Sequence, residues 1–185
     1  MAVSNLNVAV GTADKRIQIY DVRKIDKPYY DKIQTNCTQI RSICFTKDDE
    51  AMAIGTTSSR VLMEYITTKK APYSFICHKK NSDGINVYYP INCVSLHPKY
   101  YTLATGGSDA TAAIWDIESQ KKISNLIFTT SVSSMSFSED GGKLAIACSY
   151  NKDNGVHESE TSHKIIIRNT TETCLLYTSP SPRDS

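Results

Sequence analysis

Three segments of the chain alternate between hydrophobic and polar residues: IRSICF (Ile40–Phe45), INCVSL (Ile91–Leu96) and VSSMSF (Val132–Phe137). Each is followed by a polar turn, a run of small apolar residues, a turn rich in Gly, Ser or Asp, and a second apolar run. Alternation with a period of two residues is typical of β-strands. No window of the sequence keeps a helical period, so the pattern predicts an all-β protein.

The same sequence unit occurs four times along the chain. The units align on Gly11, Gly55, Gly106 and Ala147, which are 44, 51 and 41 residues apart. Blades of WD-repeat propellers recur at about 40–45 residues and tolerate loop insertions. The spacing therefore predicts a WD-repeat β-propeller whose blades cover residues 1–30, 31–75, 76–127 and 128–171.

The four units are expected to form part of a larger ring. Propellers contain about 4–8 blades, and a closed ring leaves no sheet edge unpaired. Residues 1–4 already have the pattern of the first strand of a blade. The Ser- and Pro-rich segment at residues 172–185 breaks the repeat pattern and resembles translated linker sequence, so we exclude it from the propeller.

Pairs of polar and aromatic residues at fixed repeat positions predict a buried hydrogen-bond network within the blades. In GGSDATAAIWD, the turn residue Asp109 can accept hydrogen bonds and Trp115 can donate its indole N–H. Asp14 and Tyr20 occupy the same positions in the first unit. In the second unit Ser58 and Glu64 stand there, which predicts that this blade has lost the network. We interpret these residues as structural.

Composition and charge narrow the classes of function. The 185 residues are 40% hydrophobic and 22% charged, which is typical of a globular protein. The net charge of +2 gives no basic excess of the kind that nucleic-acid binders show, so a nucleic-acid partner is not expected. No apolar run reaches the roughly 18 residues of a membrane span. The N-terminus lacks the pattern of a signal peptide, and the six cysteines form no CxxC pair, which predicts buried thiols in a cytosolic or nuclear protein.

The sequence lacks the residue patterns of an enzyme or of a metal site. The four histidines have no HExxH or CxxC partners, and no nucleophile stands beside a base. Residues 151–163 combine two histidines with acidic residues, but a solvated loop explains them better than a metal site does. We therefore expect no catalytic activity, no cofactor and no metal.

Several segments resemble the Bub/Rae family of WD-repeat proteins, and in particular the last four blades of its kinase-free mitotic checkpoint branch, which has seven blades. The resemblance covers residues 1 to about 171. The segments that carry it are AVGTADKRIQIYDVRK, SSRVLMEY, YSFICHKK, YYPINCVSLHP, TLATGGSDATAAIWD, and LAIACSY followed by an acidic insertion and IIIRN.

This resemblance implies a scaffold of the spindle assembly checkpoint that acts in the nucleus, at the kinetochore, and also in the cytoplasm. Members of the family bind GLEBS motifs, which are short segments of checkpoint kinases or pseudokinases, and phosphothreonine repeats of a kinetochore scaffold. The alternative is the sister branch of messenger-RNA export factors, which bind a nucleoporin GLEBS motif. The short segment after SY and the sequence ATGGSDATAAIWD favour the checkpoint branch.

Three basic residues match the peptide-binding positions of the family. Arg41 and Arg60 belong to the second unit, so their side chains are expected to converge on one peptide. Lys79 follows Cys-His in FICHKK, where Ile76 replaces a basic residue that is usual in the family. Arginine forks make bidentate bonds to phosphate or carboxylate, which suits a phosphopeptide. For His78 a structural role is favoured over a surface contact, and Arg16 has the repeat position of Arg60 but no role implied by the family.

Overall fold

A computed structural model describes residues 1–150 and 163–170. All regular elements in these residues are β-strands, and no described segment forms an apolar helix of membrane-spanning length. The strands are β1 Ala2–Ser4, β2 Asn7–Gly11, β3 Arg16–Asp21, β4 Tyr30–Ile33, β5 Ile40–Phe45, β6 Ala51–Thr56, β7 Arg60–Tyr65, β8 Tyr73–Ile76, β9 Lys79–Ser82, β10 Ile85–Tyr88, β11 Ile91–Leu96, β12 Thr102–Gly107, β13 Thr111–Asp116, β14 Lys121–Ile127, β15 Val132–Phe137, β16 Lys143–Cys148 and β17 Lys164–Asn169.

The strands form four antiparallel sheets that follow one another along the chain. Sheet 1 contains β1–β4, sheet 2 contains β5–β8, sheet 3 contains β11–β14, and sheet 4 contains β15–β17. Within each sheet the spatial order of the strands is their order in the sequence. This architecture confirms the predicted all-β, WD-repeat propeller fold. The three alternating segments of the sequence are the inner strands β5, β11 and β15, with the predicted bounds.

Two features of the strands are not visible in the sequence pattern that gives the approximate blade boundaries. The boundary after residue 30 falls inside β4, whose residues after Tyr30 are exposed and give no hydrophobic pattern. Strands β9 and β10 form a separate hairpin between sheets 2 and 3. Every residue of this hairpin's strands is exposed, so it leaves no alternation that a sequence search can detect.

Three hydrophobic layers hold neighbouring sheets together. Along β6, Met52 and Ile54 pack towards sheet 1, whereas Ala53 between them packs towards sheet 3. Alternate residues of one strand therefore contribute to two layers, as the two-residue period requires. A third layer joins sheets 3 and 4 around Val132 and Leu144. Because sheets 2 and 3 are covered on both faces, all residues of β6 and β12 are buried.

The repeat glycines lie where one sheet meets the inner strand of the next. A Cβ atom on Gly55 would stand 2.8 Å from Ile91 Cγ2, and one on Gly106 would stand 2.5 Å from Val132 Cγ1. These distances are shorter than carbon atoms tolerate, so the close approach of the sheets requires glycine. The sequence periodicity thus has a direct packing cause.

The described cysteines are free thiols, as the sequence predicts. Burial raises the pKa of Cys44 to about 12 and that of Cys93 to about 12. Such thiols stay protonated at neutral pH and behave as small hydrophobic residues. Cys174 and the rest of the segment at residues 172–185 lie outside the described residues.

Candidate peptide-binding surface

The inner strands of sheets 2, 3 and 4 each carry a β-bulge near their first residue. The extra residues are Arg41 in β5, Asn92 in β11 and Ser133 in β15. A bulge re-aims a side chain and often stands beside a functional site. All three residues occupy the second position of an alternating segment, so the sequence contained the signal that groups Asn92 with Arg41.

The bulge residue of sheet 3 orients the arginine of sheet 2. Arg41 Nη1 donates to Asn92 Oδ1 at 2.6 Å. Asn92 Nδ2 donates in turn to the Val132 carbonyl of sheet 4 at 2.9 Å, and Ser108 Oγ donates to Asn92 Oδ1 at 3.2 Å. The exposed guanidinium of Arg41 is therefore connected to a hydrogen-bonded chain that crosses three sheets.

Arg60 begins β7 at the same end of sheet 2, where it pairs in register with Ile76. Its side chain is half-buried, and Nη1 donates to Ser74 Oγ at 3.3 Å. Within the described part of the chain Arg60 makes no ion pair. Arg16, at the same repeat position of sheet 1, is instead paired with Asp31 at 2.7 Å. The positive charge of Arg60 is thus not neutralised by a neighbouring carboxylate as that of Arg16 is.

Arg41 and Arg60 lie on different faces of sheet 2, so the expectation that one peptide contacts both side chains stays a prediction. Arg41 reaches towards sheet 3, whereas Arg60 lies on the face of β7 that also carries Leu62, which packs against sheet 1. The two arginines are apart because they belong to strands β5 and β7, which are separated by β6 and lie about 10 Å from each other. Their side chains also point to opposite faces of the sheet. Both residues lie at the same end of sheet 2, but on different faces of it.

Lys79 lies at this same end, where it begins the hairpin of β9 and β10 opposite Tyr88. Its side chain is exposed and makes no hydrogen bond or ion pair with described residues. The adjacent Lys80 is engaged, because its Nζ donates to the Asp109 carbonyl at 2.7 Å and lies over the Tyr89 ring. Ile76, directly across from Arg60, contributes no charge.

A buried hydrogen-bond network in sheet 3 has a different path from the one that the sequence predicts. Trp115 Nε1 donates to Thr105 Oγ1 at 3.0 Å, and His78 Nε2 lies 3.0 Å from the same hydroxyl. His78 Nδ1 is 2.9 Å from Asp109 Oδ1, to which Thr111 Oγ1 also donates. Asp109 and Trp115 therefore belong to one network, but Thr105 and His78 connect them.

The charge state of Asp109 fixes the proton on the histidine. Burial by itself raises the pKa of Asp109, but hydrogen bonds from His78 and Thr111 outweigh it, and the pKa lies below its ordinary value of 3.8. An ionised carboxylate only accepts hydrogen bonds, so His78 Nδ1 must donate. His78 is 1% exposed, and the structural role favoured from the sequence agrees with this burial.

The first sheet has no equivalent network, contrary to the prediction for Asp14 and Tyr20. The Asp14 side chain is 64% exposed and contacts Arg16, while Tyr20 donates its hydroxyl to Gln18 at 3.2 Å. In sheet 3 the connecting histidine comes from the end of the preceding sheet. No preceding sheet among the described residues supplies such a side chain to sheet 1.

Sheet 2 contains a polar network of its own, which sequence reasoning missed. The buried Glu64 accepts from Lys32 Nζ at 2.5 Å and from Gln34 Nε2 at 3.3 Å, both from the end of sheet 1. Gln34 follows β4 as His78 follows β8. The Asp/Trp pair is absent from this blade, but a charged pair takes its place.

No group of three or more potential metal ligands occurs in the described residues. The acidic loop singled out in the sequence falls mostly on residues 151–162, which lie outside them. Its last residue, His163, is exposed, and its Nδ1 lies 2.9 Å from Ser149 Oγ.

Comparison with known proteins shows which class of protein has these features. Residues 73–116, which run from β8 to β13, match the model of the WD domain, G-beta repeat. Together with four successive antiparallel sheets, this match defines a WD-repeat protein.

Within this class the chain belongs to the Bub/Rae family. It is 38% identical over 180 residues to the mitotic checkpoint protein bub-3 of Caenorhabditis elegans, and this alignment covers 93% of this chain and 52% of that protein. It is 36% identical over 172 residues to mitotic checkpoint protein bub3 of Dictyostelium discoideum, in an alignment that covers 90% of this chain and 51% of that protein. A poly(A)+ RNA export protein of Schizosaccharomyces pombe is 28% identical over 166 residues, covering 86% and 47%. The chain spans about half the length of these relatives.

Proposed function

We propose that this chain is a non-catalytic scaffold of the mitotic spindle assembly checkpoint that binds peptide segments of other proteins. The proposed partners are GLEBS motifs of checkpoint kinases or pseudokinases and phosphothreonine repeats of a kinetochore scaffold. The proposed locations are the nucleus, the kinetochore and the cytoplasm. The observation that carries the proposal is the pair of arginines at one end of sheet 2, together with the checkpoint proteins among the relatives.

The opposite orientation of the two arginines specifies how the peptide lies. An extended peptide that crosses the end of sheet 2 covers the roughly 10 Å between β5 and β7 with about three residues, and its flanking residues contact the two guanidinium groups on either side. A phosphothreonine carries nearly two negative charges and three acceptor oxygens, which one arginine fork can bind. An acidic side chain a few residues away then reaches the other arginine. Lys79, which is exposed on the hairpin of β9 and β10, adds a positive charge at the same end.

The test is a set of binding titrations with fluorescently labelled peptides and single alanine variants. Arg41→Ala and Arg60→Ala each remove a charge-assisted contact, so affinity for the GLEBS or phosphothreonine peptide should fall about 10- to 100-fold. Thermal stability should change little because both side chains reach the surface. Arg16→Ala is the matched control, since Arg16 has the same repeat position but is paired with Asp31. Unchanged affinity in both test variants would refute the site.

A second candidate is the messenger-RNA export function, which one relative at 28% identity supports. A competition pull-down separates the two by offering a checkpoint-kinase GLEBS peptide and a nucleoporin GLEBS peptide to the same protein. The checkpoint proposal requires preference for the kinase peptide. Binding of RNA that weakens steeply with added salt, or preference for the nucleoporin peptide, would favour the export function instead.

A further inference from the structure

A cavity of about 370 Å³ opens between sheets 2 and 3, at the end opposite Arg41 and Arg60. Its walls come from the start of β6, the end of β7, the start of β8 and the residues that flank β12 and β13. Both sheets are complete in the described chain, so the cavity does not depend on any further blade. Three tyrosines and three carboxylates line it: Tyr65, Tyr73, Tyr101, Asp48, Glu50 and Glu118.

Hydrogen bonds through their phenol groups hold two of the tyrosines. Tyr73 donates its hydroxyl to the Ile117 carbonyl at 2.6 Å, which joins sheet 2 to sheet 3. Tyr101 donates to the carboxylate of Asp48. Asp48 is fixed in turn by Thr46 Oγ1 at 2.6 Å and by the Glu50 amide at 3.1 Å. The aromatic walls are thus positioned by the fold.

The charge of the cavity is negative. Glu50 and Glu118 are exposed at its rim and form no ion pair within the described residues. Lys70 is the one basic residue among the described residues of the lining. Three carboxylates exceed the two nearby ammonium groups, that of Lys70 in the lining and that of Lys47 over the Tyr101 ring, and this balance favours a cation over an anion.

The chain already places its own ammonium groups on these aromatic rings. Lys70 Nζ lies 5.6 Å from the centroid of the Tyr65 ring, and Lys47 Nζ lies 5.3 Å from that of Tyr101. Both distances fall within the range of about 6 Å in which a cation is attracted to the face of an aromatic ring. The rings of the cavity are therefore accessible to ammonium groups.

We propose that this cavity binds a lysine or arginine side chain of a partner protein. The aliphatic part of such a side chain packs against the tyrosines, and its charged end lies among the carboxylates. A bound divalent metal is disfavoured because the described residues bring no three potential ligands together. Lys70 and Lys47 each lie over one ring of the cavity and compete with the incoming cation. The site is independent of the peptide-binding surface at the other end of the sheets.

NMR titration of the isotope-labelled chain with three capped tripeptides, Gly-Lys-Gly, Gly-Arg-Gly and Gly-Leu-Gly, tests the proposal. The basic peptides should shift amide signals around Ala51, Tyr65 and Ile117, and the leucine peptide should not. Raising the salt concentration from about 50 to about 500 mM should weaken this binding because it screens the charges. Equal shifts with all three peptides, shifts elsewhere only, or no shifts would overturn the proposal.

Variants of exposed rim residues test the same site without disturbing its walls. The double variant Glu50→Gln, Glu118→Gln should weaken the basic peptides about three- to tenfold, because it removes two exposed charges at constant shape. Lys70→Ala should strengthen them about two- to fivefold by removing one of the two competing ammonium groups. Glu139→Gln, an exposed carboxylate in the turn of sheet 4, is the control. If the double variant binds like the control variant, the carboxylates do not form the site.

Discussion

Individual buried polar residues connect sheet 3 to its neighbours. Thr105 lies at the centre of one network, where its hydroxyl accepts from Trp115 and stands within hydrogen-bond distance of His78. Because these groups are removed from water, each donor needs its partner to avoid a desolvation cost. Asp109 and Trp115 are recognisable in the sequence because they share one repeat unit. For His78 the sequence favours a structural role but not its place in this network, since it belongs to the segment that follows the preceding sheet.

Trp115→Ala should reduce the free energy of unfolding by about 3–5 kcal/mol, because the ring is buried and packs against Phe75 at a centroid distance of 5.1 Å. Thr105→Val keeps the shape of the side chain but leaves the indole N–H without its acceptor, which should cost about 1–3 kcal/mol. Denaturant titration measures both values. A loss below about 1 kcal/mol for Trp115→Ala would contradict the structural role.

His97 connects the end of β11 to the turn between β15 and β16, and it does so as a neutral ring. Its Nε2 lies 3.1 Å from the Gly141 carbonyl and must donate to it, while Nδ1 accepts from the amides of Lys99 and Tyr100. Burial lowers the pKa of His97 below its ordinary value of 6.5, and Lys99 acts in the same direction against the Gly141 carbonyl. A proton on Nδ1 would remove both accepted bonds.

The folded protein should therefore lose stability as the pH falls below about 6.5. The unfolded chain takes up the proton at a higher pH than the folded chain does, so the loss begins at the unfolded pKa and is complete below the folded one. Thermal melting between about pH 7.5 and pH 5 measures it. His97→Gln should show a smaller change over this range, and an equal slope in both proteins would exclude His97 as the cause.

At the scale of elements, the repeat glycines and the bulges explain how one strand pattern builds successive sheets. Each glycine lets the second strand of a sheet approach the inner strand of the next, and each bulge turns one side chain of that inner strand towards the candidate peptide-binding surface. The glycines are visible in the sequence as alignment points. The bulges leave a weaker trace, because each extra residue lengthens one step of the alternation from two residues to three, as between Ile40 and Ile43.

Gly106→Ala should destabilise the protein by about 1–3 kcal/mol, because the new methyl group would overlap Val132 and Cys93 in a packed layer. Gly142→Ala is the control, since its methyl group would meet only the Asp140 carboxylate, at 3.2 Å. Differential scanning calorimetry compares the two variants. A Gly106→Ala protein as stable as the control would show that sheets 3 and 4 can separate without cost.

At the scale of the whole molecule, the two outer sheets present hydrophobic side chains to solvent. Val3 on β1 is 65% exposed, and Ile165 and Ile167 on β17 are 79% and 64% exposed. Sheets 2 and 3, by contrast, are covered on both faces. Exposed apolar faces of this kind favour association with another protein surface.

The chain should self-associate as its concentration rises, because two copies can bury the apolar face of sheet 4 against each other. Replacing Ile165 and Ile167 by lysine should shift the population towards the monomer, since buried like charges repel. Light scattering coupled to size-exclusion chromatography measures the mass. Exposed Val87→Lys on the hairpin adds one charge outside this face and serves as the control. Equal masses for all three proteins would contradict the role of this face.

The sequence by itself determined the all-β class, the repeat and the inner strands of sheets 2, 3 and 4. Alternation over two residues and the recurrence of glycine can be read from the sequence alone. Both appear in the structure, because alternate residues of a strand pack on different faces and each repeat glycine lies against the next sheet. The same local information was sufficient to select Asp109 and Trp115, whereas Arg41 and Arg60 were selected through the resemblance to the family.

Only the tertiary structure decided which residues meet. Trp115 reaches Asp109 through Thr105 and His78, Arg41 is bound by Asn92 of the next sheet, and Arg60 lies on the other face of its own sheet. The cavity of tyrosines and carboxylates likewise joins residues of two sheets. The reason is physical: side-chain direction depends on bulges and on how closely sheets approach, and both are set by contacts between residues that are distant in the sequence.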